Sequence, residues 1–156
     1  MGLIGSTLSL FYCGGSGCYF SPISFIQDPC LWFALISRYH ATHLQAPNFA
    51  YSLLLRRLSS SDTTKYDVSS VQHVFDAAEP ISVEVARKFI TVCSTMGLKR
   101  AAFTGGYGLA ESCVYVTDGG QRILRLRRDL FEKEQIVEVV SEEDIVTQRK
   151  NMIKKS

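Results

Sequence analysis

The sequence predicts an α/β protein: a partial, doubly wound and largely parallel sheet flanked by helices, with a short β-hairpin near the C-terminal end. Three observations carry this. Stretches with apolar residues at i, i+3, i+4 and i+7 alternate with short apolar runs of strand length. Two of those runs, residues 71–75 and 99–104, end in segments rich in small residues, Asp76-Ala77-Ala78-Glu79-Pro80 and Gly105-Gly106-Tyr107-Gly108-Leu109-Ala110-Glu111. Residues 114–117 and 122–127, with Gly119-Gly120 between them, read as a hairpin or as two adjoining strands.

Taken in order, residues 3–13 form an apolar helix closed by Gly14-Gly15-Ser16-Gly17, and residues 18–21 a short strand. Asp28 and Pro29 suit the cap and first position of a helix whose apolar face is Trp32, Leu35, Ile36 and Tyr39. A brief strand follows at 41–46. Asn48 then caps a second helix with the stripe Tyr51, Leu54, Leu55 and Leu58. Residues 59–70 are polar and predict a surface loop before the strand at 71–75. Ser82 and Glu84 open a third helix that turns Val85, Phe89, Val92, Cys93 and Met96 inward and stops at Gly97. The strand at 99–104 comes next, and residues 141–156 form a polar tail expected to fray.

At 156 residues and 46% apolar content there is enough material for one domain with a real core. A net charge of +2, from 17 basic and 15 acidic residues, leaves no footprint for nucleic acid. The densest basic cluster, Arg122, Arg125, Arg127 and Arg128, alternates with Ile123, Leu124 and Leu126 and reads as a half-buried strand with a solvated outer face. Five cysteines without a Cys-x-x-Cys suit a reducing compartment and buried thiols, hence a cytoplasmic protein. No charged residue precedes Asp28, yet there is no basic leader, and five glycines interrupt the apolar stretch, which argues against a signal peptide or a membrane span. Met1-Gly2-Leu3-Ile4-Gly5-Ser6 fits a myristoylation pattern without supporting context. The glycine loop at 14–17 lacks the Lys-Ser/Thr of a phosphate-cradling P-loop, and His40 with His43 lacks the carboxylate or thiolate of a metal site.

The segments at 76–80 and 105–111 are the chemically suggestive ones. Small residues let a backbone approach a ligand, and in open α/β sheets ligands sit beyond the carboxyl ends of the strands. Tyr107 offers a ring for a flat base, and Glu111, four positions on, a carboxylate for a hard cation beside phosphates. The alternative is that Gly105, Gly106 and Gly108 only end a strand. Phe49 reads equally as core, because helix stripes usually are, whereas a carboxylate such as Glu79 or Glu111 in a small-residue turn seldom belongs to one.

Five blocks in order, Met1-Gly2-Leu3-Ile4-Gly5, Ser21-Pro22, Ala46-Pro47-Asn48-Phe49-Ala50-Tyr51, Ala78-Glu79-Pro80 and Tyr107-Gly108-Leu109-Ala110-Glu111, resemble the AMP-forming acyl-adenylating superfamily, and within it the fatty acyl-AMP ligases and related acyl-CoA synthetase-like domains. The resemblance runs over most of residues 1–125 and marks 1–140 as part of the large domain of such an enzyme. It implies ATP/AMP and Mg²⁺ as cofactors, a fatty acid as substrate, and an acyl carrier protein or CoA as acceptor.

Residue by residue, the resemblance implies that Asp76, Ala77, Ala78, Glu79 and Pro80 line one side of the adenine, largely through backbone. Tyr107 packs on the base, Gly108 lets the chain pass close to it, and Glu111 holds Mg²⁺ and so takes part in catalysis. Met1, Gly2, Asn48, Phe49 and Ala50 border the acyl chain. Departures from the family pattern are Asp76-Ala77, where Asn-Gly is commoner, and the Thr104-Gly105-Gly106 approach to Tyr107. Residues 122–134 look like the start of the insertion that marks the ligase branch and points to a carrier protein as acceptor. The family's phosphate-gripping loop, ribose-binding Asp and catalytic Lys match nothing in these residues, so 1–156 alone are expected to be inactive, and a non-catalytic binding module is the alternative. Uncovered sheet edges predict self-association.

Overall fold

The computed structural model describes residues 2–58, 63–120 and 123–141. The chain divides into two compact units, Met1–Gln121 and Arg122–Ser156.

In the first unit a π-helical stretch, Gly2–Leu8, runs into α1 (Ser9–Cys13), which ends at Gly14 in the left-handed region. Residues 18–21 are not a strand. Ser21 instead caps a helix the sequence reading passed over, α2 (Pro22–Gln27), by accepting a hydrogen bond from the Ile23 amide, with proline at the first position. Helix α3 (Leu31–Tyr39) starts later than expected. The Asp28 carboxylate takes the Cys30 amide at 3.1 Å in the turn before it. Its buried face is Phe33 and Ile36, while Tyr39 is exposed.

Strand β1 (His43–Ala46) and helix α4 (Asn48–Arg57) follow, then β2 (His73–Asp76) and α5 (Val83–Ser94). The Ser82 hydroxyl accepts the Val85 amide at 3.4 Å, as the cap motif predicts. Gly97 has φ of 96° and closes the turn after α5, where a side chain would press on Ser69. A short 3₁₀ turn, Arg100–Ala102, precedes β3 (Phe103–Tyr107), and β4 (Thr117–Gly120) completes the unit.

The sheet order is β1-β2-β3-β4, parallel through the first three strands and antiparallel between β3 and β4. Strand alternation gives β2 and β3 one face of Val74, Asp76 and Phe103, joined by Leu44 and Ala46 of β1, all buried. Tyr51 of α4 and Phe89 of α5 meet edge-to-face at 4.9 Å, and both contact Phe103. Phe33 of α3 stacks on Phe89, so the three helices close over this one face as a continuous aromatic core.

Three further expectations change. Gly105 and Gly106 of the central motif lie inside β3, not beyond it, because β4 pairs along them, with Gly105 opposite Gly120, while Gly108 follows the strand. Gly119-Gly120 is therefore strand and not turn, and the hairpin is β3–β4 rather than 114–127. Of the cysteines only Cys93 is buried, its thiol pushed up to about 12 by burial, while Cys13, Cys18 and Cys113 are exposed.

In the second unit residues 123–127 are not a half-buried strand. One antiparallel bridge, Leu126 with Val139, is all the pairing among its described residues, and Ile123 and Leu124 are about half exposed (48% and 52%). Arg128 instead opens α6 (Arg128–Glu134), where it pairs with Glu132 at 2.7 Å. Arg122 and the tail from 142 onward lie outside the described residues.

Candidate functional site

Asp76, the last residue of β2, is the register partner of Gly105, which lies inside the parallel neighbour β3 shortly before that strand ends at Tyr107. The chain therefore leaves the sheet twice from adjacent parallel strands, as Ala77-Ala78-Glu79-Pro80 and as Tyr107-Gly108. The topology brings together the two segments that the sequence singled out, at the end of the sheet where α/β proteins place ligands.

The first wall turns sharply. The Ala77 amide reaches the Ala46 carbonyl at 3.4 Å, and Ala78 sits at φ of 74°, a left-handed conformation that costs a residue with a Cβ about 1 kcal/mol. Ala78, Glu79 and Pro80 are exposed, whereas Ala77 is buried. The Glu79 side chain turns toward α4, where its Oε1 accepts the Phe49 amide at 2.5 Å.

Sequence reasoning misjudged the start of α4 in two ways. Asn48 does not cap it: Pro47 holds the cap position with an extended backbone, and Asn48 is the first helical residue. The Asn48 side chain instead donates from Nδ2 to Asp76 Oδ2 at 2.7 Å, while Glu79 satisfies the Phe49 amide from another segment. Phe49 is not core either, being 56% exposed, while its neighbour Ala50 is buried. Burial pushes the Asp76 carboxyl up to about 6, helped by the nearby Glu79 charge and opposed by the Asn48 hydrogen bond. Asp76 is fully buried, and its Oδ1 has no hydrogen-bond partner.

The second wall is exposed. Tyr107 is 60% accessible, its amide donates to the Thr117 hydroxyl at 3.2 Å, and its carbonyl accepts from Val116 at 3.0 Å. Gly108 has a local reason to be glycine, since a Cβ there would run into the Val114 carbonyl. Glu111 lies in a 3₁₀ turn, Ala110–Ser112, and is exposed. Among the described residues no three His, Cys, Asp or Glu side chains gather as a metal-binding group. Mg²⁺ is ordinarily held by one or two carboxylates together with substrate phosphates, so a single exposed carboxylate suits that mode.

The sheet face away from α3, α4 and α5 carries residues the sequence did not flag. Phe75 packs edge-on against Tyr115 with ring centres 5.3 Å apart, and it fills the space a side chain at Gly106 would need. Gln45 donates to Ser6 of the N-terminal helix, and a Cβ at Gly5 would lie 3.5 Å from the Tyr115 hydroxyl. Strand alternation was a signal for Phe75. Nothing local marked Tyr115. Gly2 is exposed with open space around it, and Met1 lies outside the described residues. His43 stacks on His73 with ring centres 4.8 Å apart, and His40 closes α3 in the left-handed region.

The model of the AMP-binding enzyme family matches residues 1–133. The chain belongs to the AMP-binding enzyme family.

Its relatives within the family include fatty-acid ligases. The chain is 37% identical over 143 residues to the medium-chain-fatty-acid–[acyl-carrier-protein] ligase JamA of Moorena producens, covering 88% of this chain and 24% of that protein. It is 34% identical over 122 residues to TtuA of Teredinibacter turnerae, a ligase of the same description, covering 78% of this chain and 19% of that one. In three dimensions it resembles the fatty acyl-adenylate ligase of L. pneumophila solved with acyl adenylate and pyrophosphate, at a TM-score of 0.83 and 34% identity over 91% of this chain and 26% of that one. The chain thus spans about a fifth to a quarter of the length of these relatives. Among its described residues no helix is long and apolar enough to cross a membrane.

Proposed function

We propose that these residues supply two walls of the adenylate site in a fatty acyl-AMP ligase, an enzyme that joins a fatty acid to AMP and passes the acyl group to a carrier protein. In that reaction a carboxylate oxygen of the acid bonds to the α-phosphorus of ATP, and the bond to pyrophosphate breaks. The observation carrying the proposal is the adjacency of the two exits, Ala77-Ala78-Glu79-Pro80 after β2 and Tyr107-Gly108 after β3, on strands in parallel register.

The adenine lies between these walls, held on one side by backbone from Ala77 to Pro80 over the buried Asp76. The Tyr107 ring covers the base from the other, its exposure leaving a face free to stack. Glu111 would hold Mg²⁺, which would supply charge neutralisation at the phosphates. Phe49, exposed at the first turn of α4, together with Asn48, Ala50, Gly2 and Met1, borders the acyl chain. Each substrate methylene buried there contributes about 0.8 kcal/mol. The descriptions of JamA and TtuA as ligases to an acyl carrier protein support a carrier protein over CoA as acceptor.

ATP–pyrophosphate exchange with a medium-chain fatty acid, together with calorimetric titration of AMP, tests the assignment. Residues 1–156 are expected to bind AMP weakly and to exchange no pyrophosphate. A chain carrying Tyr107→Ala that binds AMP as well as the wild type contradicts the adenine site. Exchange by residues 1–156 alone contradicts the expectation that they are inactive by themselves.

A further inference from the structure

We propose that Glu79 is a positioning residue that ties the adenine-facing turn to the acyl-facing turn of α4, so that nucleotide held against residues 77–80 is felt at Phe49. The inference rests on the assignment of the two walls made above.

The first N–H groups of a helix have no partner within it, and a cap residue normally supplies one. Here the cap position is Pro47, which has no side-chain acceptor, and the Asn48 side chain is engaged by Asp76. Phe49 therefore finds its acceptor outside the helix, in the Glu79 carboxylate at 2.5 Å, thirty residues away in sequence. A carboxylate at the positive end of a ten-residue helix gains from both the charged hydrogen bond and the helix dipole.

The contact does not act alone. Asp76 and Glu79 bracket the turn at Ala77 and Ala78, and both reach the start of α4, through Asn48 Nδ2 at 2.7 Å and through the Phe49 amide. The turn between them contains Ala78 in a conformation that residues with a Cβ avoid, and such a geometry persists where its surroundings fix it. Glu79 thus faces two ways. Its backbone belongs to the turn proposed to meet the base, while its carboxylate holds the helix turn that presents the exposed Phe49 ring. A base that moves the turn must move the carboxylate, and with it Phe49.

The test is the Phe49 backbone amide in NMR spectra of the full chain, for the wild type, Glu79→Gln and Glu79→Ala, each with and without AMP. A downfield Phe49 amide proton is expected in the wild type. Hydrogen exchange at Phe49 is expected to be about tenfold faster in Glu79→Ala and within about threefold of wild type in Glu79→Gln, which keeps an acceptor. AMP is expected to shift Phe49 in the wild type and in Glu79→Gln, and to leave it unmoved in Glu79→Ala. A Phe49 amide indifferent to both substitutions overturns the proposal. So does AMP that perturbs residues 77–80 in the wild type without moving Phe49. If AMP moves no resonance while Phe49 still responds to either substitution, the coupling falls because the adenine site itself has failed, and the Glu79 cap stands.

Discussion

Asp76 and Asn48 meet in the interior at 2.7 Å through one carboxylate oxygen, and the other oxygen, equally buried, meets no donor. The pair sits at the carboxyl end of β2, directly beneath the turn assigned to the adenine. A buried carboxylate with half its hydrogen bonds unmade is a destabilising feature, and its size can be read from the proton.

The first prediction concerns Asp76→Asn. Folding raises this carboxyl from 3.8 to about 6, so between those values the folded chain binds more protons than the unfolded one. Stability contributed by Asp76 therefore falls as pH rises through that window, by about 3 kcal/mol if the whole shift is realised. Asparagine carries no such penalty and still offers an acceptor to Asn48. Asp76→Asn is expected to be more stable than wild type at pH 7 by about 1–3 kcal/mol and nearly equal to it at pH 4, measured by urea unfolding at both. Equal stability at pH 7 would show that the charge is not buried.

The second prediction concerns the stacked pair His43 and His73. Burial, and then the charge on His73, hold His43 below its ordinary 6.5, so just under that value the unfolded chain binds more protons. This contribution rises with pH through that window, opposite in sign to that of Asp76. The Asp76→Asn background isolates it: urea midpoints there should climb between pH 5 and 7, and His73→Gln should flatten the climb.

Much of the architecture was legible because it is local. The spacing of Val85, Phe89 and Cys93, the cap at Ser82 and the stop at Gly97 fixed α5, and the small-residue segments after two apolar runs marked the strand exits. What was not legible depends on distant partners. Asn48 looks like a cap in sequence and is drawn off by Asp76, twenty-eight residues away, and Glu79 takes over the capping from thirty residues away. Gly119-Gly120 looks like a turn, but glycine also permits the close approach of two backbones, and here it lies against Gly105. The run of arginines and leucines near 125 alternates as a strand does, yet among the described residues it finds one bridge.

Gly108 gives the third prediction. A Cβ there meets the Val114 carbonyl, a backbone atom that no rotamer change can move aside, so Gly108→Ala must open the loop at 109–116. A loss of about 1–3 kcal/mol is expected by urea unfolding, in the absence of any nucleotide. A fully stable Gly108→Ala chain that has lost only AMP binding would assign the glycine to the ligand alone.

The central claim is that the exits of β2 and β3 enclose a purine, and photolabelling with 8-azido-AMP followed by peptide mapping tests it most directly. Covalent label on peptides containing residues 77–80 and Tyr107, both displaced by excess AMP, is the predicted result. Label that excess AMP does not displace, or that falls on neither segment, would contradict it.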